Sequence, residues 1–354
     1  LLSSRAARTL VTLLTAVLLA LPLAPDAALA GPGAEAITGQ LIVFGPPVQG
    51  VLDATTPSAT YTFTARAGQP ISLRAVTSGD LTLDLVLGGP GGSGLARAVP
   101  AAHDPLTQFI DAFIPPADGT YYVTATALHG SAGTYELALL AGYAELAVLD
   151  DFSSASDALH LDWTPFVSVD AAADVVNGAL GIQVINEGRL GMFEPDQWAA
   201  YHDLYIQADF TIEDSPGYHE YGFALRNAPG ANSFYAVMFS SDGDWALFYF
   251  NGGWAVVQDW TASPAINGAD LAPRIGVFVQ GSTFRVFFND QPVGVVTDVQ
   301  FFAQEGGFGL VAATSPEDDG VLIAYVDNLA VTTPATPFGA MASLPPGSTA
   351  PTAP

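Results

Sequence analysis

Apolar and polar residues alternate with a period of two along most of the chain, and this pattern constrains the fold more than any other feature. Leu204, Ile206, Ala208, Phe210 and Ile212 alternate with Tyr205, Gln207, Asp209, Thr211 and Glu213. Leu81, Leu83, Leu85 and Leu87 keep the same phase, as do Tyr121, Val123 and Ala125, and Tyr135, Leu137 and Leu139. Successive strand side chains point to opposite faces, so this spacing buries one face of an antiparallel sheet and solvates the other. Turn signals separate the runs: Asp118-Gly119, the glycine-rich stretch 88–94, Asn177-Gly178, Asp242-Gly243, Asn251-Gly252 and Asn289-Asp290. Asn-Gly between apolar runs marks a tight hairpin, because both residues tolerate positive φ. No helical stripe interrupts the pattern, so the expected fold is all-β.

The 354 residues exceed the needs of one ordinary sandwich and suit two. Strands over 37–142 form a small first β-sandwich. Those over 148–333 form a larger second one, where roughly a dozen strands fit a two-sheet jelly roll. Residues 334–354 are rich in Pro, Ala and Thr, carry no charge, and are expected to form a disordered tail. At the other end, Arg5 and Arg8 precede an apolar stretch from Leu10 to Leu21, and Ala28-Leu29-Ala30 offers a small-x-small cleavage pattern. Residues 1–30 therefore read as an export signal, with a membrane anchor as the alternative. An apolar run of about a dozen residues is too short to span a bilayer. The expected location is secreted or at the cell surface, with no transmembrane segment after signal removal.

Thirty-five acidic residues face nine basic ones, for a formal net charge of −26; all nine are Arg and there is no Lys. Such a surface repels phosphate backbones and excludes nucleic acid as a partner. It also attracts divalent cations. The chain has no Cys, so neither disulfides nor a lipidated cysteine support it, and the modules depend on their cores or on bound metal.

The series Tyr61-Thr-Phe-Thr-Ala65, Gly68-Gln69, Leu83-Asp84-Leu85, Pro116-Ala-Asp-Gly119-Thr-Tyr-Tyr122 and Gly133-Thr-Tyr-Glu-Leu137 resembles the bacterial pre-peptidase C-terminal (PPC) domain. That resemblance implies a small β-sandwich acting as an accessory to exported proteins, here N-terminal with no peptidase before it. The second module is similar to concanavalin A-like and laminin-G-like jelly rolls, particularly the 3-keto-disaccharide hydrolase-type group. The similarity lies in Tyr221-Gly-Phe-Ala-Leu-Arg226, Phe234-Tyr235, Asp242-Gly-Asp-Trp245, Phe284-Arg-Val-Phe-Phe-Asn289 and Tyr325-Val-Asp-Asn-Leu329.

No catalytic constellation stands out. Glucanases of this superfold place carboxylates on one face of one strand as Glu-x-Asp-x-x-Glu, and that spacing is absent. Glu213, Asp214 and Glu220 are interrupted by Pro216 and Gly217, and Glu317-Asp318-Asp319-Gly320 reads as a turn. Ser93 in Gly91-Gly92-Ser93-Gly94 lacks the nucleophile-elbow context. His219-Glu220 has no second His at helical spacing, and the five histidines read as surface loop residues.

Two binding features remain. Arg226, Tyr235, Trp245, Tyr249, Trp254 and Trp260 concentrate in adjacent expected hairpins, as a sugar site requires: rings to stack on C–H faces and donors for hydroxyls. On the strand 221–226, Tyr221, Phe223 and Leu225 read as core, while Gly222, Ala224 and Arg226 would leave room for a groove. The alternative is that the aromatics fill the cores, which Trp245 and Tyr249, each two positions from Leu247, fit best. Asp150, Asp151 and Asp327 would meet where the first and last strands of the second module join, and could hold a structural Ca²⁺; ordinary turn carboxylates are the alternative. The expectation is an exported, non-catalytic protein whose second module binds glycan or another cell-envelope ligand. The alternatives are a glycoside-hydrolase-like enzyme and a purely structural surface protein.

Overall fold

Two pairs of antiparallel-rich sheets, each pair closed around its own apolar core, make up the computed structural model. It describes residues 39–153, 159–197, 199–213, 217–228, 233–300, 305–315 and 321–336. The expected export signal, the tail beyond residue 336, Asp214 and the acidic run 317–320 lie outside the described residues. Among the described residues there is no helix, and none long and apolar enough to cross a membrane.

In the first sandwich, one sheet orders β1 (Gln40–Leu41), β3 (Ser58–Ala65), β9 (Gly119–Ala127), β5 (Leu83–Gly88) and β6 (Gly94–Arg97). The facing sheet orders β2 (Val48–Leu52), β10 (Gly133–Ala141), β4 (Ile71–Thr77), β8 (Thr107–Phe113) and β7 (Val99–Pro100). Leu83, Leu85 and Leu87, Tyr121, Val123 and Ala125, and Tyr135, Leu137 and Leu139 all point into the core, as their alternation requires. Each fully buried Leu, Val or Phe contributes about 1.5–3 kcal/mol, which lets the module fold without disulfides. The Tyr61 and Tyr135 hydroxyls hydrogen-bond to each other at 2.8 Å inside it.

In the second sandwich, a nine-stranded sheet runs β12 (Phe166–Val167), β13 (Ala171–Val176), β14 (Ala179–Val184), β25 (Leu322–Thr333), β16 (Leu204–Ile212), β21 (Arg274–Gln280), β22 (Thr283–Phe288) and β23 (Gln291–Thr297). Strand β11 (Glu145–Asp150) also pairs with β25. The opposing sheet orders β15 (Leu190–Phe193), β24 (Gly307–Thr314), β17 (His219–Ala228), β18 (Ser233–Ser240), β19 (Asp244–Asn251) and β20 (Trp254–Ala262). The hairpins at Asn177-Gly178 and Asn289-Asp290 take positive φ at both positions, as two-residue turns of this kind demand.

The sandwiches belong to one compact unit and meet through a buried connection. The Tyr143 ring stacks on Phe278 with centroids 4.6 Å apart, and its hydroxyl donates to the Val279 carbonyl at 2.9 Å. Tyr205, expected on the solvated phase of its strand, is buried here with Tyr143, Phe278 and Phe287. At Gly142, φ is +76° and a Cβ would lie 2.2 Å from that of Tyr205, so only glycine fits. The Asp111 carboxylate on β8 accepts N–H bonds from Ala144 (2.7 Å) in the connection and Ala335 (3.0 Å) in the segment leaving β25. One side chain of the first sandwich thus holds both the entry to the second and the exit from it.

Candidate functional site

The six-stranded sheet turns Tyr221, Phe223, Leu225, Tyr235, Val237, Phe239, Trp245 and Leu247 toward the nine-stranded sheet. The opposite face is also apolar. Strand register aligns Val311, Gly222, Met238 and Ala246 in one row across β24, β17, β18 and β19, and Gly309, Ala224, Ala236 and Phe248 in another. Most of these side chains are small. A Cβ on Gly222 would lie 2.0 Å from the Val237 carbonyl oxygen, so the backbones of β17 and β18 leave no room for one.

Beside this floor stands an aromatic wall. Phe250 faces Trp254 across β19 and β20 at a 5.0 Å centroid separation, and Trp254 also packs on Phe234 at 5.7 Å and Phe248 at 6.1 Å. Phe248 then contacts Trp260 at 5.8 Å, and Trp260 meets Tyr218 at 6.4 Å. The register of β20 slips twice between Val256 and Thr261, placing Gln258 opposite the core-facing Leu247 and returning Trp260 to the face of Trp254. Trp254 is 44% exposed, and Trp260, Phe248 and Phe250 are half-buried. Phe248, Phe250 and Tyr218 carry no binding signal of their own in the sequence, although Phe250 and Trp254 flank the Asn251-Gly252 turn and hence must meet.

The six residues grouped on the sequence do not share a face. Trp254 and Trp260 point outward, whereas Tyr235, Trp245 and Tyr249 pack in or against the inner core. The Tyr235 hydroxyl donates to Asp298, and its ring packs on Tyr249 and Phe284. The Trp245 indole N–H is buried with no hydrogen-bond partner. Arg226 corrects the expected groove most clearly. A bulge between Leu225 and Ala228 puts it at φ +53° and swings it away from Gly222 and Ala224. Its guanidinium donates to the carbonyls of His202 and Gly281, lies 3.7 Å from Asp203 and packs over Phe284. Burial pulls its pKa down, but the guanidinium works as an internal fastener for two loops.

The three aspartates expected to converge are apart in role. Asp150 is fully buried and accepts from Phe152 N (2.9 Å), His160 Nδ1 (2.8 Å), Leu161 N (3.2 Å) and Trp163 Nε1 (3.2 Å). Asp151, just past the end of β11 and exposed, caps Ser153, and Asp327 accepts from Asn328 N. No group of three or more His, Asp or Glu that could hold a metal occurs among the described residues. Two histidines also differ from the surface loop placement expected. His160 serves Asp150, and His219 is buried, which depresses its pKa.

Charge on the outward face is acidic. Glu220 on β17 lies opposite Ser240 on β18, whose Oγ accepts from Asp244 N on β19. Among the described residues of the second sandwich, Arg189 pairs with Asp170, Arg274 makes two bonds to Asp209, and Arg285 belongs to the other sheet.

Fold and site together define a protein of two β-sandwiches, the second a jelly roll with an aromatic-walled outer face. No protein-family model and no curated protein sequence matches the chain. Solved structures similar to it include the carbohydrate binding module CBM66 from Bacillus subtilis, at 21% identity and a TM-score of 0.38, over 49% of this chain and 97% of that one. The pre-peptidase C-terminal domain of a Bacillus anthracis collagenase aligns at 17% identity and 0.26, over 30% of this chain and 99% of that one. A Bacillus licheniformis β-glucanase aligns at 11% identity and 0.39, over 54% and 99%. The likeness is one of fold.

Proposed function

We propose that this is an exported, non-catalytic carbohydrate-binding protein that holds its ligand on the outward face of the six-stranded sheet. The observation that carries the reading is the aromatic wall, with Trp254 44% exposed and Phe248, Phe250 and Trp260 half-buried beside buried small side chains. An apolar exposed cluster rimmed by polar groups marks a binding surface. Sugar rings offer flat C–H faces to indoles, while their hydroxyls find acceptors at rim carboxylates such as Glu220 and Asp244. The first sandwich acts as an accessory module. Affinity electrophoresis of the full chain through gels containing neutral polysaccharides tests this. The expected result is retardation that Trp254→Ala reduces sharply while circular dichroism still shows the sheet fold. Retardation that survives both Trp254→Ala and Trp260→Ala refutes it.

A second reading, glycoside hydrolysis, has one observation in its favour. Glu220 and Asp244 flank Ser240 in one cross-strand row on this same face. Two strand spacings separate their backbones by about 10 Å, the scale on which a general acid and a general base share a sugar. Release of reducing ends that Glu220→Gln abolishes would favour the enzyme.

A further inference from the structure

We infer, resting on the binding reading above, that the ligand is a linear, uncharged glycan held over more than one sugar ring and running parallel to β19 and β20. The wall is long in one direction only. Trp254 stands opposite Phe250, and Trp260 sits on the face of Phe248 beside Ala246. From Phe250 to Ala246 is four residues along one strand, about 14 Å at ~3.4 Å per residue, which no single sugar ring spans. Both indoles touch Phe248, at 6.1 and 5.8 Å, so no gap divides the strip, and Tyr218 extends it past Trp260. Across the strands, Phe234 continues the row of Phe250 and Trp254 but is buried beneath them, and the next row is Ala236, Ala224 and Gly309, which offer no ring to stack on. Stacking is therefore confined to a line along the strands, which suits a chain and not a terminal sugar.

Charge selects further. The ionisable side chains along the rows of this face are carboxylates: Glu194 beside Gly309, Glu220 and Asp244. Arg226 is turned inward, and Arg189 and Arg274 face aspartates. An anionic chain would lose hydration beside carboxylates without gaining a cation, a penalty that opposes binding.

Isothermal titration of the full chain against neutral gluco-, xylo- and manno-oligosaccharides of two to six units, with polygalacturonate as the anionic probe, tests the inference. Affinity should rise at least tenfold from disaccharide to hexasaccharide, and polygalacturonate should not bind. Trp254→Ala and Trp260→Ala should each flatten the dependence on length, with the circular dichroism spectrum unchanged. Should a disaccharide bind as tightly as the hexasaccharide, or polygalacturonate compete with it, this inference falls while the binding reading stands. If no saccharide of any length binds, both fall. Because the length series uses the unaltered protein, a variant that folds poorly does not compromise the test.

Discussion

Replacing Asp111 by alanine should loosen the joint between the two sandwiches. The carboxylate accepts two backbone N–H groups, from the fully buried Ala144 at 2.7 Å and the nearly buried Ala335 at 3.0 Å. Ser72 Oγ also approaches it at 3.3 Å but keeps its bond to the Gly142 carbonyl at 2.8 Å. Two orphaned N–H groups cost about 1–3 kcal/mol each. Relief of the carboxylate's own burial offsets part of this, leaving a net loss of about 2–4 kcal/mol. For a body of this size that is a fall in melting temperature of about 3–6 °C. Asp111→Asn keeps one acceptor and turns an amide donor toward the other N–H, so about half the loss is expected. Calorimetry at neutral pH reads both variants. An alanine variant that melts within about a degree of the unaltered protein would show that the joint does not depend on this carboxylate. Acidity gives a second handle. Burial, the largest influence, raises the Asp111 pKa above the ordinary carboxylate value of 3.8 despite its N–H bonds, and the charge of Glu145 pushes the same way. The folded state therefore holds this proton more tightly than the unfolded chain. The proton-linked part of its contribution is fully present below the unfolded pKa and is lost as pH rises through the folded one, while the two N–H bonds to the carboxylate remain at neutral pH. In Asp111→Asn that part of the pH dependence should vanish.

Other expectations follow from buried polar groups. Asp150→Ala strips four donors of their shared acceptor and should cost about 3–5 kcal/mol in urea unfolding, since each orphaned buried donor costs about 1–3 kcal/mol, in part relieved by water. A change below about 1 kcal/mol would mean those donors find other partners. Trp245→Phe removes a buried N–H that has no partner, so its cost should be smaller than core truncation normally brings, within about 1.5 kcal/mol. Because the Asp150 oxygens already accept N–H groups, Ca²⁺ or a chelator should leave the melting temperature unchanged; a Ca²⁺-dependent rise would reveal a site elsewhere.

Much of the fold was legible because alternation carries its own geometry. Ile206, Ala208, Phe210 and Ile212 each point inward from β16, and the turns at Asn177-Gly178 and Asn289-Asp290 close where expected. The candidate site was half legible. Trp254 and Trp260 belong to it, but β18 runs Phe234-Tyr235-Ala236-Val237-Met238-Phe239 with apolar residues in both phases. Where both faces are apolar, period two does not reveal which one meets the core, so Tyr235 and Phe234 could not be told apart. Arg226 was misplaced because one extra residue in a bulge reverses the phase of everything after it.

Sequence alone determined that this chain builds sheets, where most of them turn, and that its surface is acidic, because these follow from neighbours along the backbone and from counting charges. Tertiary structure alone decided which side of β18 and β19 faces outward, that Tyr205 and Asp111 join the two sandwiches, and that Asp150 answers to four N–H groups. Those outcomes depend on contacts between residues far apart in the chain, whose pairing no local pattern encodes.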